Sequence, residues 1–218
     1  MNFAAIFQYA PNLVSGALVT LRITLVAAAL GLVIGLGLAL ARLARVRLLS
    51  WIAYAYIELF RTTPPLVQIV WFYFVVPVLT GHELSSFQAA ALALGLNEAA
   101  FLAEIMRAGI QGVSTTQRDA ARVLGLTTFD TYRFVILPQA FRIILPPAAT
   151  TLMLLVKTTA LASAIGTLEL MRVGQLVTTA TFRPIEVLTT VALAYFLLTY
   201  PIAIGARALE RSFRVGQG

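Results

Sequence analysis

The chain has 218 residues, of which 60% are hydrophobic and only 11% are charged, and its mean hydropathy is +0.89. A soluble domain carries about 25% charged residues, so this composition excludes an ordinary soluble core and indicates a membrane protein. The chain has no cysteine, which excludes disulfides, zinc–thiolate sites and iron–sulfur clusters, and its single histidine, His82, excludes a histidine metal cluster.

Five stretches are long and apolar enough to cross a bilayer, which takes about 20 residues. In chain order they cover residues 14–41, 64–81, 86–106, 146–168 and 185–204. The run 48–60 is also apolar, but it is short and contains Glu58. We interpret it as an interfacial helix, or as a cytoplasmic extension of the second span that breaks near Arg61. The sequence therefore predicts an all-α membrane protein with five transmembrane helices and a single domain over residues 1–218.

The basic residues are distributed unequally between the two sides of these spans. Twelve of the sixteen lie on one side: Arg42, Arg45, Arg47, Arg61, Arg107, Arg118, Arg122, Arg133, Arg142, Arg207, Arg211 and Arg214. Only Arg172 and Arg183 lie on the other, while Arg22 and Lys157 fall within spans. Cytoplasmic loops of membrane proteins are enriched in Lys and Arg. The pattern predicts an outside N-terminus, a cytoplasmic C-terminus and a cytoplasmic 107–142 loop, and it explains the net charge of +7 without nucleic acid.

The cytoplasmic loop has a pattern typical of two short helices joined at a glycine. Asp119 begins the helical stretch DAARVL, and an acid in a first turn favours the helix dipole. Gly125 permits a positive φ that ends this helix. A second short helix over 128–134 follows, with a threonine cap, and Leu137-Pro138 ends it. The sequence predicts a compact helical elbow at the membrane surface.

Small side chains in the elbow, at Ala120 and Ala121, would allow another backbone to approach closely. Arg118 and Arg122 flank them and are suited to pairing with acids on a partner, although a role as positive-inside anchors fits equally well. An ordinary amphipathic loop would also explain the spacing.

The spacing D-A-A-x3-G-x9-V-x-L-P resembles the EAA loop of the permease subunits of bacterial ABC importers, whose pattern is E-A-A-x3-G-x9-I-x-L-P. The matching positions are Asp119, Ala120, Ala121, Gly125, Leu137 and Pro138. Asp119 and Val135 are conservative departures. Four further segments resemble the histidine/glutamine-type subgroup, which imports polar amino acids. They are IELFRTTPPLVQ (57–68), LGLNEAAFLAEIMRAGI (94–110), VILPQAFRIILPP (135–147) and LVKTTALASAIG (155–166).

This resemblance implies an ABC type I importer permease core in the cytoplasmic membrane of a bacterium. The implied partners are two ATP-binding cassette subunits, a second permease copy or a sister permease, an extracytoplasmic amino-acid-binding protein and membrane lipid. ATP and Mg would be bound by the ATPase partner, and the loop 119–138 would be the coupling segment. The chain itself has no G-x-x-x-x-G-K-[ST] loop, since its only lysine is Lys157 inside a span. We therefore expect a transporter subunit without an ATPase site, a metal or a cofactor of its own.

Span three carries polar side chains that predict part of a substrate path. Asn97 and Glu104 are two turns apart and lie on nearly one helical face, with Glu98 about 100° away. Charged groups in a bilayer are costly and normally face a cavity or a partner. For Glu104, a link to Arg107 or to the coupling loop is equally consistent with its place near the cytoplasmic end.

Spans two and four add further candidates. Thr63, Leu66 and Gln68 occupy the start of span two, where members of the resembled family line the translocation path. In span four, Thr158 can bind a backbone group or a ligand, and Lys157 can neutralise a glutamate or form an ion pair that only fixes helix packing. Some relatives carry Asp where Thr158 stands. The absence of that acid weakens a preference for cations, whereas Glu98 favours one. The substrate prediction therefore stops at a polar amino acid, with basic ones included.

Two other functional classes remain open. A self-contained channel or proton-coupled amino-acid carrier could use Glu98, Glu104 and Lys157 as a relay, but it leaves the elbow unexplained. A purely structural membrane subunit of a larger enzyme would use none of these residues for transport.

Overall fold

The computed structural model describes residues 7–214, with side chains as far as Ala208, and every regular element in that range is a helix. The predicted all-α class is confirmed for these residues. The eight helices are α1 (Ala10–Leu43), α2 (Arg47–Thr62), α3 (Pro65–Thr80), α4 (Ser86–Gln111), α5 (Thr115–Val123), α6 (Thr128–Ile165), α7 (Leu170–Thr181) and α8 (Pro184–Arg214).

Four of these helices are long and apolar enough to cross a membrane: α1, α4, α6 and α8. The pair α2 and α3 passes the same test only as one unit, bent by 104°. The break lies at Thr63, whose backbone is extended because the following Pro64 disfavours a helical residue before it. The predicted break near Arg61 is therefore confirmed, and the described part of the chain holds four candidate spans, or five if the bent pair counts as one.

The centre of the fold is α4, which packs along α1 with very little side chain between the two backbones. A Cβ added at Gly31 would lie 2.9 Å from Glu98 Cγ, and one added at Gly35 would lie 2.9 Å from the Ala99 carbonyl oxygen. Fully buried alanines of α4, such as Ala89 and Ala93, belong to a core cluster with residues of α1, α3 and α6. Small residues allow close helix packing in a bilayer, where hydrophobic burial provides no driving force.

The helix α6 contradicts one boundary predicted from the sequence. Leu137-Pro138 does not end a helix, because one helix runs from Thr128 to Ile165 and joins the elbow to the predicted fourth span. Residues Thr131–Ile136 form a π-helical segment, in which the Leu137 N–H donates to the Tyr132 carbonyl. Pro138 then stands in the first turn of the regular segment, where a missing N–H costs little.

The short helix α7 was not predicted, and it identifies the two ends of the bundle. It packs against the beginnings of α1 and α8 through Leu13, Val173 and Val187. At the opposite end, the end of α4 meets the beginning of α6 through Ile110 and Ile136. The α5 region and the α7–α8 turn therefore lie at opposite ends of the bundle.

Candidate functional site

The helix α5 begins four residues earlier than the sequence predicts. Its N-cap is Ser114, whose Oγ accepts a hydrogen bond of 3.2 Å from the Thr116 N–H. Asp119 is consequently in the middle of the helix, where it is exposed and lies 3.5 Å from Arg122. The expected role of Asp119 in the first turn is wrong, because a serine already caps the free N–H groups.

The end of α5 forms at Gly125 as predicted. Gly125 has φ +74°, and its N–H donates to the Arg122 carbonyl while the Leu126 N–H donates to the Ala121 carbonyl. This pair of bonds is the Schellman motif, which requires a left-handed residue. Thr127 then caps α6, because its Oγ1 accepts from the Asp130 N–H at 3.1 Å.

The two alanines of the elbow motif differ in exposure. Ala121 is only 2% exposed and packs within the chain, whereas Ala120 is exposed. Of the two small residues, Ala120 is therefore the one whose surface is open to a partner. We call the exposed residues Asp119, Ala120, Val123 and Leu124 of α5, together with the exposed Phe129 at the start of α6, the elbow surface. Val123 is 87% exposed and Leu124 is 78% exposed, so the elbow surface is strongly apolar.

The elbow is attached to the helices on both sides of it. Arg118 Nη2 donates a bond of 2.6 Å to the Ile110 carbonyl near the end of α4. Leu137 and Pro138 are exposed on the early turns of α6. Arg118 thus has an internal anchoring role, while Arg122 is on the surface.

A second feature is a cleft of about 210 Å³ between α4, α6 and the start of α3. It brings together three predicted residues: Asn97, Glu98 and Thr158. Glu98 is 6% exposed, and Thr151 lines the same cleft, with its hydroxyl donating to the Ala148 carbonyl at 2.9 Å. The cleft therefore has one buried acid, one amide and two hydroxyls in otherwise apolar walls, an arrangement suited to a small cationic group.

Two predicted path residues also hold the break between α2 and α3. Asn97 Nδ2 donates to the Phe60 carbonyl at 2.7 Å, and Gln68 Nε2 donates to the same oxygen at 2.9 Å. Thr63 and Gln68 line a further cleft of about 280 Å³ beside this break. Leu66 is exposed on α3 and lines neither cleft.

The comparisons with known proteins agree with this geometry. Residues 31–215 match the family described as the binding-protein-dependent transport system inner membrane component. The chain belongs to this family. It is 35% identical over 214 residues to the arginine transport system permease protein ArtQ of Bacillus subtilis (strain 168), covering 98% of each chain.

Two further relatives cover almost the whole chain. The glutamine transport system permease protein GlnP of Escherichia coli (strain K12) is 35% identical over 215 residues, with 98% of each chain covered. The crystal structure of an amino acid ABC transporter with histidines has a TM-score of 0.91 and 34% identity, covering 97% of this chain and 99% of that one. The family resemblance seen in the elbow motif is confirmed.

Two predicted residues of this transport-system component lie away from the cleft. Glu104 forms an ion pair of 2.7 Å with Arg107, as one of the predicted alternatives has it. Lys157 is exposed and lines a cavity of about 380 Å³ with Met171 and Tyr195. In the range that the structure describes it has no ion pair, so the predicted Lys157–glutamate pair is wrong.

Sequence reasoning missed Glu169, which is fully buried between α6 and α7. Its carboxylate accepts three hydrogen bonds of 2.7 Å, from the N–H groups of Met171 and Arg172 and from the Tyr195 hydroxyl. Nearby, the Thr20 hydroxyl accepts from the Leu170 N–H at 3.2 Å. The available signal was an acid directly before the amphipathic stretch LMRVGQLV, which is a helix-start pattern.

Proposed function

We propose that the chain is the membrane subunit of an ATP-driven importer that moves a polar amino acid across the cytoplasmic membrane of a bacterium. Basic amino acids are within the proposed substrate class. The elbow surface is the observation that carries the proposal, because Val123, Leu124 and Phe129 present apolar area at one end of the bundle. The near full-length similarity to arginine and glutamine permeases supports the substrate class.

In the proposed assembly, two such permeases, identical or sister chains, form the path. Two ATP-binding cassette subunits bind the elbow surfaces in the cytoplasm, and they hold ATP and Mg. An extracytoplasmic binding protein delivers the amino acid to the other face. The α2–α3 pair counts as one broken span, which gives five spans, an outside N-terminus and a cytoplasmic C-terminus. The unequal arrangement of arginines supports this orientation.

Coupling follows from the continuity of α6. This helix contains 38 residues, about 57 Å at 1.5 Å per residue, and it joins the elbow to Thr151 and Thr158 in the cleft. Arg118 ties α5 to the end of α4, which carries Asn97 and Glu98 on the facing wall. A movement imposed on α5 by the ATPase would therefore reach both walls of the cleft.

Recognition of the substrate in the cleft depends on a small number of polar groups. The carboxylate of Glu98 would bind an ammonium or guanidinium group, and the hydroxyls of Thr151 and Thr158 would accept further hydrogen bonds. A buried acid with few competing donors favours cationic groups because its desolvation must be offset by a partner. This site supports a polar amino acid, with basic ones favoured by Glu98.

The rival proposal of a proton-coupled carrier needs its titratable groups to form a relay. Glu98 lies in the cleft, Glu104 is paired with Arg107, and Lys157 lines a different cavity. These three environments are separate, which favours the importer. Uptake by the purified chain alone, without the ATPase and without ATP, would overturn our proposal.

Single cysteines provide a direct test of ATPase docking, because the chain has none of its own. In native membranes, Ala120→Cys should form a cross-link to the ATP-binding subunit with a short thiol-reactive reagent. Ala121→Cys is the matched control and should react far more slowly, because Ala121 is buried. Failure of Ala120→Cys to capture an ATP-binding protein would contradict the proposed coupling role.

A further inference from the structure

The turn between α7 and α8 carries an exposed aromatic residue on an unfavourable backbone. Phe182 has φ +55° and is the one non-glycine residue with positive φ between residues 7 and 214. Its N–H donates to the Thr178 carbonyl at 2.8 Å and so ends α7. The side chain is 87% exposed, so the ring gains almost no packing within the chain.

The fold itself does not explain a phenylalanine at this position. Left-handed residues at helix ends are usually Gly or Asn, since a larger side chain raises the energy of that conformation. Glycine would end α7 equally well and without strain. Strained residues that contribute no packing are concentrated where a protein makes functional contacts. The ring of Phe182 is thus explained best by a contact with another molecule.

The surroundings of Phe182 favour a protein contact over lipid. The sequence TTATFRP places three threonines and an arginine beside the ring, whereas lipid-facing surfaces are apolar. Arg183 has no ion pair among the residues with described side chains. Aromatic residues, phenylalanine included, and arginine are enriched in protein interfaces relative to the rest of the surface. An apolar pocket with an acidic rim would complement this pair in both shape and charge.

The position of the turn identifies the partner. Phe182 lies at the end of the bundle opposite the elbow, where α7 packs against the beginnings of α1 and α8. Transport in this family depends on a binding protein, which must meet that end if the elbow meets the ATPase. We infer that Phe182 and Arg183 form a docking anchor for the extracytoplasmic binding protein, an inference that rests on the proposed function.

Two substitutions at one position separate the ring from the backbone. Phe182→Asn removes the ring but retains a residue that tolerates positive φ, and Phe182→Trp retains a large aromatic ring. The complete importer is reconstituted in liposomes with purified, substrate-loaded binding protein at increasing concentration. We expect Phe182→Asn to raise the half-saturating concentration of binding protein at least tenfold, and Phe182→Trp to change it less than threefold.

The charge of the anchor is tested by the salt dependence of the same measurement. In the wild type, added salt should raise the half-saturating concentration of binding protein, because salt screens the ion pair between Arg183 and the partner. Arg183→Gln lacks this ion pair, so added salt should raise its half-saturating concentration less.

The possible results distinguish this inference from the proposed function. An unchanged half-saturating concentration in Phe182→Asn, with or without a lower maximal rate, would overturn the docking anchor and indicate a lipid-facing ring. A wild-type assembly that shows no ATP-dependent uptake at any binding-protein concentration would instead overturn the proposed function.

Discussion

The side chain of Asn97 in α4 donates a 2.7 Å hydrogen bond to the carbonyl oxygen of Phe60, in the last turn of α2. Carbonyl groups in the last turn of a helix have no partner within the helix. Gln68 provides the second donor to this oxygen from the beginning of α3. A residue expected to touch substrate therefore also fixes the 104° bend between α2 and α3.

This shared acceptor predicts a non-additive pair of mutations. Asn97→Ala alone should lower the free energy of unfolding by about 1 kcal/mol, because one donor to Phe60 remains. Gln68→Ala should cost somewhat more, because it also removes the 3.0 Å bond from Gln68 to the Thr63 carbonyl. The double variant leaves the carbonyl without a donor and should cost about 1 kcal/mol more than the sum of the two. Thermal unfolding of the purified protein in detergent measures the cycle.

Tyr56→Phe, which removes a bond to a different acceptor, the Leu96 carbonyl, is the control. Strict additivity would show that the shared bond is not formed.

The sequence predicted those features that depend on local chemistry. The short apolar run 48–60, with Glu58, indicated a break near Arg61, and Gly125 indicated the left-handed end of α5. The continuity of α6 was not predictable from Leu137-Pro138, because a π-helical segment allows the helix to pass a proline that usually ends one.

Contacts distant in sequence account for the other differences. Asn97 binds a backbone carbonyl 37 positions away, and no pattern of side chains encodes that partner. Glu169 is buried because the Tyr195 hydroxyl, 26 positions later, lies beside it. The polar residues of the spans could be found in the sequence, but their partners could not.

The left-handed conformation of Gly125 predicts the effect of a branched side chain there. No atom outside the local backbone lies within 4 Å of a Cβ added at this position, so strain is the only expected cost. Gly125→Val should destabilise the elbow by about 1–2 kcal/mol, and Gly125→Asn should cost less because Asn tolerates positive φ. We expect Gly125→Val to reduce ATP-dependent uptake more than Gly125→Asn, with similar amounts inserted in the membrane. Equal uptake by the two variants would contradict a mechanical role for the elbow.

The close contact between α1 and α4 predicts opposite effects for two glycines of α1. Gly31→Ala places a Cβ 2.9 Å from Glu98 Cγ, so α1 must move or the carboxylate must leave its place in the cleft. We expect a loss of about 1–3 kcal/mol in unfolding free energy and a higher half-saturating substrate concentration. Gly37→Ala is the matched control, because no other atom lies within 4 Å of its added Cβ. It should leave both quantities unchanged or raise stability slightly. Similar behaviour of the two variants would exclude the predicted contact.

The buried carboxylate of Glu169 predicts the largest loss of stability. It accepts two backbone N–H groups at the start of α7 and the Tyr195 hydroxyl of α8, so it joins two helices. Glu169→Ala leaves three partly buried donors without their acceptor, and each buried unsatisfied group costs about 1–3 kcal/mol. Tyr195→Phe removes the hydroxyl donor itself, so no donor is left unsatisfied. The expected loss of unfolding free energy is therefore only about 1 kcal/mol.

An exposed acid provides the control for Glu169. Glu83→Ala, in the turn between α3 and α4, should change the unfolding free energy by less than about 0.5 kcal/mol, because exposed substitutions rarely exceed that value. The expected order of melting temperatures is therefore Glu83→Ala highest, then Tyr195→Phe, then Glu169→Ala. A Glu169→Ala protein as stable as Glu83→Ala would mean that the N–H groups of α7 find other acceptors, and α7 would then not depend on this carboxylate for its attachment to α8.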